Sequence, residues 1–118
     1  MIYRPFAALT LAFLTGERAF AEEMLLKPGA VEVVTLSENA STGFAWRLDA
    51  DASQGLNVVV AVSDAGHRDG ATMPGAPGTH RWSIRALKAG TATVTLVYQR
   101  PWEKTAPAQT RRFNIRVR

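Results

Sequence analysis

The residues best suited to chemistry are few and badly spaced for it. The chain of 118 residues holds two histidines and no cysteine, which excludes thiol nucleophiles, iron–sulfur clusters and cysteine zinc sites. His67 stands beside Arg68 and Asp69, a polar stretch that reads as a solvated loop. His80 falls in the inward register beside Trp82, the place of a hydrogen-bonded or rim histidine rather than a base or metal ligand. Neither is followed at ligand spacing by a second histidine or a carboxylate, so no metal and no cofactor are expected. Ser41, Ser63 and Ser83 lack the glycine-flanked elbow of a hydrolase nucleophile. The acidic residues are scattered, and no pair is marked as an acid–base couple. Gly75-Ala76-Pro77-Gly78 is not a phosphate loop, because no helix follows and Pro77 removes an amide donor. The chain does not read as an enzyme.

What remains is recognition. Trp102 follows Arg100-Pro101 in a polar stretch outside any alternating pattern. An exposed tryptophan beside an arginine has the composition of an interface anchor, while a ring folded back over the end of the core would be structural. Asn39-Ala40-Ser41 matches a glycan acceptor, a pattern common by chance. The formal charge is +4, and Arg111, Arg112, Arg116 and Arg118 crowd the last segment. No aromatic residues interleave with them on the exposed face, so they read as the wet face of a strand and no nucleic-acid partner is expected.

These residues need a scaffold, and period-two alternation supplies it. His80, Trp82, Ile84 and Ala86 point one way, Arg81, Ser83 and Arg85 the other. Ala92, Val94, Leu96 and Tyr98 alternate with Thr91, Thr93 and Thr95, and Phe113, Ile115 and Val117 alternate with polar residues. Leu56 to Val62 is continuously apolar apart from Asn57 and reads as a central strand buried on both faces. Val31–Leu36 and Phe44–Leu48 are shorter strands, and Lys88-Ala89-Gly90 reads as a tight hairpin. Short strands separated by turn residues predict an all-β immunoglobulin-like sandwich, built without the cysteine pair of antibody domains. Three connections are longer than minimal: Ser37 to Gly43, Ala65 to Gly78 and Gln99 to Ala108. Alternate connections of a sandwich emerge at the same end, so these three long loops should cluster there.

The first residues stand apart. A positive start at Arg4, an apolar run from Pro5 to Thr15 and Ala19-Phe20-Ala21 before Glu22-Glu23 form the layout of an export signal over 1–21. The run is well below the roughly 20 residues that span a bilayer, so no stable membrane insertion is expected once the signal is removed. A single domain over 22–118, periplasmic or secreted and monomeric, is the expected product. The full chain is 47% hydrophobic and 20% charged, an ordinary globular composition with the means to form a core without disulfides.

The three loops together resemble the chagasin-like inhibitors of papain-type cysteine peptidases. Asn39-Ala40-Ser41-Thr42-Gly43-Phe44 stands where that family carries Asn-Pro-Thr-Thr-Gly-Tyr. Gly75-Ala76-Pro77-Gly78 stands for its Gly-x-Gly-Gly-like turn, and Arg100-Pro101-Trp102 matches its Arg-Pro-Trp unchanged. The order and spacing agree over nearly the whole chain after the signal. The resemblance implies an immunoglobulin-like sandwich whose loops form a wedge in the peptidase cleft, inhibiting reversibly, without a covalent bond or cofactor. By that resemblance Thr42 and Ser41 would sit beside the catalytic thiolate, Trp102 against the enzyme's aromatic surface, and Gly75 to Gly78 along the other side. Ala40 for proline, Ser41 for threonine, Phe44 for tyrosine and Pro77 for glycine are departures that bear on affinity and target range. The competing reading of the same residues is an immunoglobulin-like adhesion or carbohydrate-binding module, with Arg-Pro-Trp as a sugar platform; a third is an assembly domain of an envelope complex.

Overall fold

The computed structural model describes residues 21–70 and 75–118. Seven strands form two sheets: β1 (Ala21–Leu26), β2 (Val31–Glu38), β3 (Ala45–Leu48), β4 (Val60–Arg68), β5 (Gly78–Ala86), β6 (Gly90–Gln99) and β7 (Gln109–Val117). One sheet has the order β1-β7-β6-β3 and the other β2-β5-β4. All neighbours are antiparallel except β1 and β7, which run parallel. This is the immunoglobulin-type sandwich expected from the sequence, with its first strand laid along the last.

Alternation put the core where it is found. Val34 and Leu36 of β2, Trp82 and Ile84 of β5, Val94 and Leu96 of β6, and Phe113 and Ile115 of β7 are buried between the sheets. The inner faces interdigitate, and apart from Glu38, His80 and Thr95 the polar residues of the strands keep some contact with water, the arrangement that lets a sandwich of this size stand without cross-links.

Four expectations are corrected. Leu56–Val62 is not a central strand. Residues 57–59 form a turn in which Asn57 takes a left-handed conformation (φ 64) and Val59 N donates to Gly55 O at 2.9 Å. The strand begins only at Val60, at the edge of the three-stranded sheet, and Val58 is 54% exposed. Asn57 was the breaker inside the apolar run. Lys88-Ala89-Gly90 is not a hairpin either, because β5 and β6 lie in different sheets and the short link crosses between them. The second long connection is shorter than expected, since Ala65 to Arg68 belong to β4. Finally, Thr95 is not on a wet face. The crossover after β3 folds into a 3₁₀ turn over Ala50–Ala52, and Thr95 Oγ1 donates to Ala52 O at 2.8 Å beneath it.

β1 was not anticipated, since the strand pattern becomes legible only from Val31. Its register begins with Ala21 opposite Arg112, and the Glu22 carboxylate takes both Nε and Nη2 of Arg111. Residues 1–20, where the sequence leads one to expect an export signal, lie outside the described residues.

Candidate functional site: a three-loop surface at one end of the sandwich

The first loop, between β2 and β3, is built by its own short side chains. Ala40–Thr42 make one 3₁₀ turn, capped by Asn39, whose Oδ1 accepts from Ser41 N at 3.2 Å and Ser41 Oγ at 2.6 Å. Thr42 Oγ1 donates to Asn39 O at 2.7 Å and accepts from Phe44 N at 3.3 Å. Gly43 closes the turn at φ 84, a conformation that strains any residue with a Cβ. These bonds hold the loop in the absence of the proline that Ala40 replaces. Ala40, Ser41 and Thr42 are exposed at the tip.

The other loops join it. Asn39 Nδ2 donates to Gly75 O at 3.1 Å, which ties the second loop to the first. Arg100 Nε donates to Thr42 O at 2.9 Å, and its guanidinium lies 4.5 Å from the centre of the Phe44 ring. Phe44 stacks in turn on Tyr98 at 5.3 Å, whose hydroxyl accepts from Asn39 N at 3.0 Å. The Trp102 ring stands directly over Gly43: a Cβ added there would fall 2.5 Å from Trp102 Cη2. Trp102 nevertheless keeps 67% of its surface exposed, so it does not cap the core.

The sequence-derived residues therefore divide. Ala40, Ser41, Thr42, Pro101 and Trp102 are exposed, with Gly75 and Pro77 exposed on the neighbouring loop and Ala76 half-buried. Asn39, Gly43, Phe44 and Arg100 are the half-buried framework beneath them. Gly78 is buried as the first residue of β5, paired with Glu38. The Asn39 amide is already engaged with Gly75, which leaves it poorly placed as a glycan acceptor.

Sequence reasoning missed what lies under the first loop. Glu38 is buried (3% exposed), with Oε2 accepting from Trp46 N at 2.7 Å, so it bridges the two ends of the loop. Its carboxylate also meets His80 Nδ1 at 2.9 Å and His67 Nδ1 at 2.6 Å. His67 is thus not in a solvated loop but on β4, directly opposite His80 of β5. The available signal was that Glu38 continues the inward register of Val34 and Leu36, where a carboxylate demands partners. Burial pushes the Glu38 carboxyl up, but the bonds from Trp46, His80 and His67 outweigh it and hold it below its ordinary 4.5. Asp64 behaves alike: burial raises it, while the Gly66 amide and His80 bring it below its ordinary 3.8. The bond to Asp69, followed by that to Glu38, raises the His67 imidazole above its ordinary 6.5 despite some desolvation.

These shifts fix a pH dependence. The lowered carboxyls stabilise the fold above their unfolded values, an effect lost as pH falls through the folded ones. The raised His67 stabilises it below 6.5, an effect lost as pH rises through its folded value. The cluster should contribute most between about pH 4.5 and 6.5. Thermal midpoints measured across pH 3–9 should fall on both sides of that window, and His67→Gln should flatten the alkaline fall. An unchanged alkaline limb in that variant would refute the assignment.

Comparison with known proteins places this geometry. Residues 26–117 match the family described as Chagasin family peptidase inhibitor I42. Amoebiasin-2 of Entamoeba histolytica is 30% identical over 86 residues, covering 72% of this chain and 68% of that protein. Chagasin of Trypanosoma cruzi is 30% identical over 89 residues, covering 74% of this chain and 79% of its own. Among solved structures, a cysteine protease inhibitor from Entamoeba histolytica superposes with a TM-score of 0.64 at 23% identity, over 83% of this chain and 87% of its own. PbICP-C, solved in complex with falcipain-2, gives 0.66 at 19% identity, over 91% of this chain and 96% of its own. At such identities the structural likeness speaks for the fold, and the sequence match speaks for kinship: the chain belongs to the chagasin family of peptidase inhibitors.

Proposed function

We propose that the protein is a reversible, non-covalent inhibitor of papain-type cysteine peptidases, presenting its three loops as a wedge to the active-site cleft. The observation that carries this reading is the bonding of the loops into one surface, Gly75 to Asn39 on one side and Arg100 and Trp102 to the first loop on the other. The tip is small enough for a narrow cleft, and Ser41 and Thr42 are the residues assigned to the neighbourhood of the catalytic thiolate. Internal bonds fix the loop before it binds, which reduces the entropy lost on association. Trp102 is the assigned anchor, and the contact should bury about 800 Å² on each partner. Kinship with a peptidase-inhibitor family favours this over an adhesion module.

Titration against papain and a cathepsin-like enzyme with a fluorogenic substrate tests the reading, and no inhibition at micromolar concentration would defeat it. Trp102→Ala should weaken inhibition at least about tenfold, a loss of ~1.4 kcal/mol. Because the ring is exposed, the same variant should keep its thermal midpoint; a variant that unfolds would return Trp102 to a structural role.

Export belongs to the same proposal: a charged start, an apolar run and Ala19-Phe20-Ala21 form the signal, with cleavage after Ala21. N-terminal sequencing of the protein recovered from a secreting host should read Glu22-Glu23-Met24, and an intact Met1 would reject it.

A further inference from the structure

We propose that Glu38, His67 and His80 form a binding site for one divalent transition-metal ion of the zinc type, at the foot of the first loop. The three side chains bring one ligand atom each to within 4.8 Å of one another. Both imidazoles turn Nδ1 toward the Glu38 carboxylate, at 2.6 Å from His67 and 2.9 Å from His80. Their outer nitrogens are each held by a separate carboxylate: His67 Nε2 by Asp69 at 2.9 Å, and His80 Nε2 by Asp64 at 2.6 Å. A carboxylate behind each imidazole is the support that orients histidines on a metal, fixing the N–H on the outer nitrogen and the lone pair on the inner one.

Four imidazole nitrogens face carboxylate oxygens, and fully protonated rings meet them with four N–H groups, whereas neutral rings supply only two. In the neutral form with those two donated outward, both Nδ1 lone pairs would point at Glu38. A dication can then take the place of the inner protons, bonded to both Nδ1 atoms and the Glu38 carboxylate. Bonds of about 2.1 Å would separate the ligand atoms by about 3.4 Å, so His80 and His67 must draw back from Glu38 by about 0.5 and about 0.8 Å. His67 is a quarter exposed, which gives the ion an entry path and a water as fourth ligand.

The chain is bent to make this cluster. Asp64 and His67 are three residues apart and would face opposite sides of a regular strand. A bulge between Asp64 and Gly66 shifts the register, with Gly66 at φ 95 and its amide donating to Asp64 Oδ1 at 2.8 Å. Both side chains then face His80. Bulges re-aim side chains in this way, and here the result is a two-histidine, one-carboxylate set with nitrogen and oxygen donors suited to Zn²⁺ rather than Mg²⁺.

Isothermal titration of the untagged protein with ZnCl₂ at pH 7.5 tests the inference independently of any inhibition. The chain has two histidines and no cysteine, so no other imidazole or thiolate competes. One equivalent should bind, with millimolar Mg²⁺ failing to displace it, and Zn²⁺ should raise the thermal midpoint. His67→Gln should weaken binding at least tenfold and remove the thermal shift, and Asp69→Asn should weaken it about tenfold through loss of the supporting carboxylate. His67 and Asp69 lie at the rim, and the midpoint of each zinc-free variant verifies its fold. Absence of binding at 1 mM Zn²⁺, or binding equally tight in both variants, would overturn the site.

Discussion

Gly43→Ala should reduce affinity for a papain-type peptidase by at least about a hundredfold, roughly 2.7 kcal/mol. Two effects combine. The left-handed conformation at φ 84 strains an alanine by about 1–2 kcal/mol. Its methyl would also stand 2.5 Å from Trp102 Cη2, so the indole must leave its seat. The first loop and the aromatic anchor would move apart together, which is why this change should exceed truncation of Trp102 itself. Gly43 packs at the end of the sandwich rather than in its core, so the thermal midpoint should fall only modestly. Inhibition constants for Gly43→Ala, Trp102→Ala and the double variant measure the coupling. In the Trp102→Ala background the added methyl meets no ring, and Gly43→Ala should then have a smaller effect. An inhibition constant within threefold of the parent would show that the seat of Trp102 on Gly43 contributes nothing to binding.

The largest effect on stability is expected at Glu38. Its carboxylate is buried, accepts the Trp46 amide and receives both histidines. Glu38→Ala strands that amide and leaves two imidazoles facing Asp64 and Asp69 without the central acceptor. Breaking one side of a buried, hydrogen-bonded charge cluster costs about 3–5 kcal/mol, a large share of the ~5–15 kcal/mol that holds a domain together. Glu38→Gln keeps the volume and an acceptor for Trp46, and should lose less than half as much. Denaturant unfolding of the two variants separates the charge from the acceptor. A loss below about 1 kcal/mol for Glu38→Ala would mean that the cluster is incidental to the fold.

The links between loops also rationalise the departures from the family's motifs. Ala40 gives up proline's rigidity, and the Asn39 cap with the Thr42 hydroxyl restores local order through four short-range hydrogen bonds. Phe44 lacks a hydroxyl, but its ring lies between Tyr98 and the Arg100 guanidinium, where stacking is the working contact. Ala40 lies at the exposed tip and Phe44 in the half-buried framework beneath it.

By itself the sequence determined the class of fold, the core and the exposed motif. Side chains on a strand alternate whatever the tertiary context, so Trp82, Ile84, Val94, Leu96, Phe113 and Ile115 were legible as core from spacing alone. The loop motifs were legible because they are contiguous, each carrying its residues within a few positions. The tertiary structure decided everything that depends on which strand lies beside which. Lys88-Ala89-Gly90 has hairpin chemistry but joins different sheets, because sheet membership is set by long-range pairing rather than by the turn. Residues 57–59 lie in a mostly apolar run yet form a turn, because Asn57 accepts a left-handed backbone and the edge of the sheet leaves Val58 in water. Most of all, Glu38, His67 and His80 are far apart in sequence and meet only through the β2-β5-β4 pairing and the bulge at Gly66. Ligand spacing along the chain could not reveal them, since the distance between side chains there is fixed by register across strands and not by separation along one.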